Sequence, residues 1–502
     1  MKKIFDIFII GGGINGCGIA RDAAGRGFSV CLAEMNDFAS GTSSWSTKLI
    51  HGGLRYLENF EFRLVRESLI EREKLLNIAP HIINPMKFVL PNNTKIRNRW
   101  LIWLGLKIYD YLYLGNSLKK SKIVNLVNFH SKLKTEYDAG FEYSDCVVDD
   151  SRLVILNARD ADLKGATMMN YSKVIAVRKV KNLWEVDIQK KENGKLNKYT
   201  ILSKTIINSS GPWINNTFKN IFDKFQISKK TRLVKGSHIL VPKIYCGDNA
   251  FIFQNIDKRV IFFIPYQKNY SLIGTTDIEF KGSPENAKIT AQERTYLINL
   301  VSLYFNKTLS KKDIIWSYSG VRSLYNDESE LAQKITRDYV IESQSKDNET
   351  LINIYGGKLT TYRKLSEIVM QKIQDILKTQ KKSWTSNSSL PGGNFEFKQK
   401  ENKLKILSKK YSFLTSRIID RMFSAYGNEI EKIFKGIKSK EDLGKDFGHG
   451  LFENEVKWLI NNEWATNSED ILWRRSKLGL KFSKNQKLIL EKWINNYSLN
   501  LK

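Results

Sequence analysis

The sequence predicts an α/β protein with more than one domain, and three observations support this prediction. Apolar runs of strand length at residues 4–10 and 29–34 flank a helical pattern at about 15–26, which gives a βαβ opening. After the stretch SWTSNSSLPGGN (383–394) the chain becomes lysine-rich, with helical periodicity and few strand signals. Further strand-like runs, each ending near a glycine or a polar turn, occur at 173–177, 205–208 and 351–355.

The length of 502 residues exceeds what one hydrophobic core usually holds, since a domain has about 100 to 200 residues. Two insertions separate the strand-like runs, and the second contains alternating strands such as RVIFFIPY (259–266). We expect a discontinuous first domain of residues 1–81, 148–229 and 319–382, a cap of 82–147 and 230–318, a linker of 383–394 and a helical domain of 395–502.

The formal net charge of +29 is extreme and favours a polyanion, an anionic membrane surface or an acidic substrate as partner. Lysine, isoleucine and asparagine are all abundant, so a compositional surplus on solvated faces is the alternative. The sequence has no helix-turn-helix signal, zinc-finger spacing or aromatic RNA-binding pattern, and no nucleic acid is expected.

The four cysteines are scattered, without a CxxC pair or a nearby histidine cluster. They predict no metal site and a reducing compartment. The N-terminal MKKIFDIFIIGGG superficially imitates a signal peptide, but Asp6 interrupts the apolar run and no small-residue cleavage site follows. We therefore predict a first strand there.

The segment WLIWLGLKIYDYLYL (100–114) is the other candidate for membrane insertion. It is shorter than the roughly 20 residues that span a bilayer, and it carries Lys107 and Asp110. No transmembrane helix is expected. Its aromatic residues fit either a buried helix, which is the commoner case, or a position in the membrane interface.

Three glycines form a GxGxxG pattern between the first strand and the first helix: Gly11, Gly13 and Gly16. Missing side chains let the backbone approach a pyrophosphate at the helix N-terminus. Glu34 ends the next strand, where a carboxylate accepts hydrogen bonds from an adenosine ribose. Together these residues predict a dinucleotide site.

The segment GTSSWSTKLIHGGLRYLE (41–58) has too many small and polar residues for a second βα unit and suits a flavin better. This segment resembles the aerobic glycerol-3-phosphate dehydrogenase family. Seven further segments resemble the same family and follow one another in the family's order: IIGGGINGCGIARDAAGRG, GFEYSDCVVDDSRLV, KGSHILVP, LIGTTDIEFKG, WSYSGVRSL, GGKLTTYRKL and WATNSEDILWRRSKLGL. The resemblance implies non-covalent FAD and a glutathione-reductase-like, D-amino-acid-oxidase-type Rossmann domain. It also implies an antiparallel-sheet substrate cap and a C-terminal α-helical domain.

The resemblance also implies which residues contact FAD. Val174 is expected near the adenine and Gly211 near the isoalloxazine, with backbone donors at the pyrimidine end stabilising charge on flavin N1 and O2. The remaining expected flavin contacts are Ser43, Ser44, Lys48, Gly52 and Gly53 along the flavin, and Gly357, Lys358, Leu359 and Thr360 at the pyrimidine end.

The implied substrate is sn-glycerol 3-phosphate, oxidised at its C2 hydroxyl to dihydroxyacetone phosphate by hydride transfer to flavin N5. The resemblance places Arg55, Tyr56 and Lys358 in the substrate pocket, and since cationic side chains suit phosphate oxygens, Arg55 and Lys358 are expected to bind the phosphate, with the Tyr56 hydroxyl assisting. Arg322 is expected beside the reacting hydroxyl. Arg337 matches another motif of the family or forms an internal ion pair.

The reaction needs a group that accepts the C2 hydroxyl proton. His238 is the leading candidate base, while Arg322 and water are the competitors. The other motif histidine is His51.

Electrons are expected to pass to a membrane quinone from a peripheral homodimer on the cytoplasmic face of the bacterial inner membrane. The basic surface and aromatic segments favour docking on anionic lipid. The alternatives are an oxidase that makes hydrogen peroxide, a basic flavoprotein that binds nucleic acid, and an inactive membrane-bound scaffold.

Overall fold

The computed structural model describes residues 3–92, 99–113, 115, 117–127, 132–192, 195–222, 231–325, 338–346 and 349–500, so the predicted substrate residue Arg337 lies outside the described residues. The strands are β1 Ile4–Ile10, β2 Val30–Ala33, β3 Leu49–Ile50, β4 Ile83–Pro91, β5 Lys122–Asn125, β6 Ala139–Val148, β7 Thr167–Met169, β8 Ser172–Val180, β9 Leu183–Glu192, β10 Lys195–Asn208, β11 Thr231–Pro242, β12 Ala250–Gln254, β13 Val260–Tyr266, β14 Tyr270–Gly274, β15 Ile278–Glu279, β16 Trp316–Tyr325, β17 Val340–Lys346 and β18 Glu349–Tyr355. The helices are α1 Ile14–Gly25, α2 Phe62–Ile78, α3 Arg99–Leu112, α4 Asp150–Leu163, α5 Ile214–Ile221, α6 Ala291–Tyr304, α7 Tyr362–Ile376, α8 Lys400–Lys410, α9 Ser416–Tyr426, α10 Ile430–Ile433, α11 Glu453–Glu463 and α12 Lys484–Asn500.

The first sheet is built around five parallel strands in the order β18-β10-β1-β2-β7. β17 joins β18 antiparallel at one edge, and β8 and β9 extend from β10 as an antiparallel meander. Residues 7–10 of β1 and all of β2 are apolar and buried, as strands covered on both faces must be. The predicted α/β fold and its βαβ opening are confirmed.

The second sheet follows the order β15-β11-β14-β13-β12-β4-β6-β3, with β16 beside β11 and β5 beside β6. Its pairs are antiparallel except for β4 with β12. β16 pairs with β11 over ten residues, so residues 319–325, expected in the first domain, extend this sheet. The short β3 also pairs here, with β6.

The C-terminal helices have a hydrophobic core of their own, which includes Phe423, Tyr426 and Leu459. This domain docks on α4 through ion pairs that are almost completely buried, between Arg152 and Glu463 and between Arg159 and Glu429. The predicted helical C-terminal domain is confirmed, while its boundary at residue 395 stays a prediction.

Helix α3 carries the aromatic segment for which burial was the favoured prediction, and that prediction is wrong. Trp100, Leu101 and Leu104 are 77%, 66% and 57% exposed, while Leu106 and Tyr109 are its buried residues. The helix packs on α2 with one face and presents an apolar face outward. Among the described residues, no helix has both the length and the apolar character needed to cross a bilayer.

Candidate active site

A cavity of about 1760 Å³ lies between the two sheets. Its volume exceeds the roughly 300–1,000 Å³ of ordinary small-molecule sites, so it has room for a large cofactor together with a substrate. Predicted site residues that line it are Gly11, Gly13, Glu34, Ser43, Gly53, Arg55, Tyr56, Val174, Gly211, Arg322, Gly357, Lys358, Leu359 and Thr360. Predicted site residues that do not line it are Gly16, Ser44, Lys48, Gly52 and His238.

The glycine-rich turn sits at the N-terminus of α1, where two positions admit no side chain. Gly11 has φ of +106°, and a Cβ there would lie 2.7 Å from the Ser209 carbonyl oxygen. A Cβ on Gly16 would lie 1.9 Å from the Gly11 carbonyl oxygen, so Gly16 serves the close packing of helix against strand. Ser43 Oγ accepts a hydrogen bond from the Ile14 amide at 3.0 Å, tying the 42–48 segment to this turn.

Glu34 leaves β2 beside the same turn. Its Oε2 accepts the Gly12 amide at 2.7 Å, and its Oε1 accepts the Asn36 amide at 2.9 Å. Burial raises the pKa of Glu34, and these backbone donors oppose the rise. The carboxylate keeps lone pairs free for ribose hydroxyls while its orientation is fixed.

Ser44, Lys48 and Gly52 stand behind the cavity wall. The Lys48 ammonium is buried against the two Asp150 oxygens at 2.8 and 2.9 Å, and it donates to the Ser44 carbonyl at 3.0 Å. The Gly52 amide donates to the Tyr109 hydroxyl at 2.9 Å. These residues hold the lining segment from behind.

The loop 356–360 forms the opposite wall and leads into α7. Gly356 and Gly357 have φ of +72° and +96°, which bends the backbone towards the cavity. The Asn15 amide group donates to the Gly356 carbonyl at 3.1 Å, and the His51 amide donates to Thr360 Oγ1 at 3.2 Å. The loop is thus fixed to α1 and to the 42–58 segment, at a helix N-terminus that favours negative charge.

Three cationic side chains, Arg55, Arg322 and Lys358, line the cavity. Lys358 Nζ is buried without a hydrogen-bond partner among the described residues, 3.9 Å from the centre of the Tyr56 ring. Arg55 donates from Nη2 to the Lys258 carbonyl at 3.3 Å. Arg322 donates to Asp277 Oδ1 at 2.8 Å, which orients its guanidinium fork. A buried ammonium with unused donors is costly unless acceptors meet it, and an anion supplies such acceptors.

The two motif histidines differ in access to the cavity. His51 lines it. His238 is 1% exposed, stacks on Tyr318 at 4.9 Å, and its Nε2 lies 3.1 Å from Thr47 Oγ1, a hydroxyl at the cavity wall. Burial, with the charges of Arg322 and Lys48, lowers the pKa of His238 to about 3, so its ring is neutral near pH 7.

The donor set fits FAD. Glycines clear the approach to the α1 N-terminus, and buried polar atoms without partners among the described residues line the cavity, such as Asn15 Oδ1, Thr275 Oγ1 and Ser323 Oγ. The sequence prediction missed Asn15, Thr275, Asp277 and Ser323. Thr275 and Asp277 stand in the motif LIGTTDIEFKG, from which no residue was chosen.

Comparisons with known proteins agree with this geometry. The family model described as FAD dependent oxidoreductase matches residues 6–362, and the C-terminal domain of alpha-glycerophosphate oxidase matches residues 383–497. The chain is 43% identical over 496 residues to an aerobic glycerol-3-phosphate dehydrogenase of Escherichia coli, covering 98% of each chain. It is equally identical, with the same coverage, to a D-erythritol 1-phosphate dehydrogenase of Brucella abortus.

Among solved structures, a glycerol-3-phosphate dehydrogenase from Bacillus halodurans complexed with FAD has a TM-score of 0.76 at 24% identity, with 98% of this chain and 94% of that chain covered. An L-alpha-glycerophosphate oxidase from Mycoplasma pneumoniae with FAD bound has a TM-score of 0.59 at 16% identity, with 78% and 99% covered. At these identities the structures show the shared fold.

Proposed function

The chain belongs to the FAD-dependent oxidoreductase family, and on that premise we propose that it oxidises the C2 hydroxyl of sn-glycerol 3-phosphate to give dihydroxyacetone phosphate. FAD is its cofactor, and when bound it would supply the hydride acceptor of the reaction. The residues of the chain bind the phosphate, orient C2 and receive the hydroxyl proton.

The Lys358 ammonium is the observation that carries the proposal. Like Arg55 and Arg322 it lines the cavity, and among the described residues its Nζ has no hydrogen-bond acceptor. A phosphate dianion supplies such acceptors, and charge-assisted hydrogen bonds of this kind are strong. Arg55 and Lys358 bind the phosphate, and the Tyr56 ring, which lies under the Lys358 ammonium, fixes the position of that ammonium.

Arg322 polarises the reacting hydroxyl, since Asp277 holds its guanidinium in one orientation. His51, which lines the cavity, accepts the proton in our proposal. His238, the base expected from the sequence, is less suited because its pKa is about 3 and general bases work best near the operating pH. We assign to His238 the positioning of Thr47.

A second substrate has a specific observation in its favour. The relative from Brucella abortus, a D-erythritol 1-phosphate dehydrogenase, is as similar to this chain as the one from Escherichia coli. Erythritol phosphate keeps the phosphate and adds one carbon with its hydroxyl, so the same three cations would bind it. Substrate length is therefore the point to test.

The test compares kcat/KM for sn-glycerol 3-phosphate, D-erythritol 1-phosphate and glycerol, with a soluble dye as electron acceptor. We expect the three-carbon phosphate to be favoured and glycerol to be inactive, because glycerol offers no anion to Lys358. A higher kcat/KM for the erythritol ester would replace the proposed substrate, and turnover of glycerol would contradict the role of the cations.

We also propose that the electrons go to a membrane quinone, with the protein docked peripherally on the cytoplasmic face of the bacterial inner membrane. The apolar side chains Phe60, Phe62, Leu101 and Leu104 are exposed and border the cavity. Contiguous exposed apolar surface of this kind suits a membrane or a lipid-soluble ligand. The cationic charge of the chain suits anionic lipid.

The rival acceptor is molecular oxygen, which would give hydrogen peroxide. Reoxidation of the reduced protein by a quinone analogue in anionic vesicles should be much faster than by air-saturated buffer. Stoichiometric peroxide with no gain from quinone would favour the oxidase. The homodimer that the resemblance implies stays a prediction, which sedimentation in detergent would test.

A further inference from the structure

Lys477 of the C-terminal domain reaches the back of the cavity wall without lining the cavity. It follows the wide helical turn Asp470–Arg475 and is 7% exposed. Its Nζ donates to Ser151 Oγ at 2.7 Å and lies 3.6 Å from Asp150 Oδ1. Ser151 and Asp150, at the start of α4, are thus contacted from another domain.

Asp150 in turn holds the segment that lines the cavity. Its carboxylate is fully buried, and Oδ2 accepts from Ser46 Oγ and from Lys48 Nζ, each at 2.8 Å. The Ser46 carbonyl also accepts from the Tyr318 hydroxyl at 2.7 Å. Ser46 lines the cavity. Lys477 is therefore connected to the cofactor site through two contacts, from Lys477 to Asp150 and from Asp150 to Ser46.

Two negative and two positive groups make up this cluster when Lys477 is present, and of these Asp149 is partly exposed. Asp149 and Asp150 supply two carboxylates, and Lys48 and Lys477 supply two ammonium groups. Burial lowers the pKa of Lys48, Asp150 opposes that effect, and Lys477 adds to it. Removing Lys477 leaves an excess carboxylate charge behind the wall, which favours rearrangement of the contacts that hold Ser46.

A second contact from the same C-terminal segment supports the neighbouring residue of the wall. The Trp473 ring stacks on Trp316 with centroids 4.7 Å apart, and Trp316 packs on Trp45 at 5.9 Å. Trp45 lines the cavity, as Ser46 does. Both supports therefore end on adjacent residues of the lining segment.

We propose that Lys477 is a positioning residue for FAD: through Asp150 it fixes the lining segment Trp45–Thr47, and the affinity and orientation of FAD depend on it. The inference deepens the proposed function and rests on its FAD site, but it does not require a particular substrate. It gives the C-terminal domain a role in cofactor binding.

The experiment compares the holoenzymes of wild type, Lys477→Met and Lys484→Met, an exposed lysine of the same domain. Two readouts are recorded without substrate: the visible circular dichroism of bound FAD, and the rate of FAD release after dilution, followed by flavin fluorescence. We expect Lys477→Met to change the dichroism and to release FAD about 10-fold faster, as for residues coupled through direct contacts. Lys484→Met should match wild type.

Lys477→Gln keeps a hydrogen-bond donor for Ser151 and lacks the charge, and it decides the matter if the Met variant does not fold. Faster FAD release from this variant supports the proposal. Wild-type dichroism and release from a folded Lys477 variant overturn it, as does an equal effect of Lys484→Met. Failure of the substrate proposal would instead leave wild-type FAD unreduced by the phosphate ester, with these readouts unaffected.

Discussion

At the scale of single residues, the proposed phosphate site rests most heavily on Lys358. Lys358→Met removes the ammonium that has no hydrogen-bond acceptor among the described residues, and we expect KM for sn-glycerol 3-phosphate to rise about 100-fold, from loss of charge-assisted bonds worth about 2–3 kcal/mol. Lys372→Met, at an exposed lysine of α7, is the matched control and should leave KM unchanged. An unaltered KM in Lys358→Met would refute the phosphate site.

Substitution of His51 and of His238 should affect kcat to different extents. His51→Gln should lower kcat by about 10²–10⁴-fold, the usual contribution of a general base. His238→Gln should lower it far less. Because burial makes protonation of His238 unfavourable and its pKa is about 3, the ring stays neutral above pH 5, and its loss should not alter the pH profile of kcat there. If His238→Gln removed the acidic or the basic fall of kcat from the pH profile, His238 would again be the candidate base.

The sequence predicted these residue types better than their exact positions around the site. Fourteen predicted residues line the cavity because glycines, serines and cations in motif segments face a shared space. Ser44, Lys48 and Gly52 belong to the segment 41–58 that lines the cavity, but they do not line the cavity themselves. Only the fold decides which side of a lining segment a residue occupies, and Lys48 is drawn behind the wall by the distant Asp150.

At the scale of elements, α3 is the place to test membrane and quinone contact. Leu101→Asp with Leu104→Asp places charges on its exposed apolar face, so binding to anionic vesicles and reduction of a quinone analogue should fall at least about 10-fold. Reduction of a soluble dye should persist, since these side chains lie outside the proposed substrate contacts. The measurements are vesicle co-sedimentation and the two acceptor assays.

Leu488→Asp on α12 is the matched control, because that leucine is also exposed but belongs to the C-terminal domain. It should leave vesicle binding intact. Equal loss in both variants would mean that α3 is not the docking element.

The order of strands in the two sheets could be predicted from local sequence patterns only where strands close in sequence pair with each other. The βαβ opening was predictable because β1, α1 and β2 follow one another and pair locally. β16 and β3 were not assigned to the second sheet, since their partners β11 and β6 are about 80 to 100 residues away and a strand pattern does not name its neighbour.

At the scale of the whole molecule, buried ion pairs should make the C-terminal domain unfold with the rest. Arg152 and Glu463 are both fully buried; burial opposes ionisation of Glu463, but Arg152 together with Arg159 and Arg475 outweighs it, so that the pKa of Glu463 is lowered. Glu463→Ala leaves the guanidinium unpaired, and we expect the free energy of unfolding to fall by about 3–5 kcal/mol. Urea unfolding of the holoenzyme measures this change.

Glu431→Ala is its control, since Glu431 pairs with Lys410 at 2.7 Å on an exposed surface. That change should cost less than about 1 kcal/mol. Similar losses in the two variants would contradict the view that the buried interface joins the domains.

The docking of this domain on the cofactor site was beyond prediction from the sequence. The helical character after residue 394 was evident, but Asp37 and its buried partner Arg475 are 438 residues apart along the chain. Each is an ordinary charged residue in its own segment. Only the assembled fold brings them together beside Glu34 and the glycine turn.

The most direct test of the proposed function is anaerobic addition of sn-glycerol 3-phosphate to the FAD-loaded protein, followed by its visible flavin absorbance. We expect bleaching by the phosphate ester, none by glycerol, and much faster recovery with a quinone analogue than with air. Bound FAD that stays oxidised with the ester would contradict the proposed substrate.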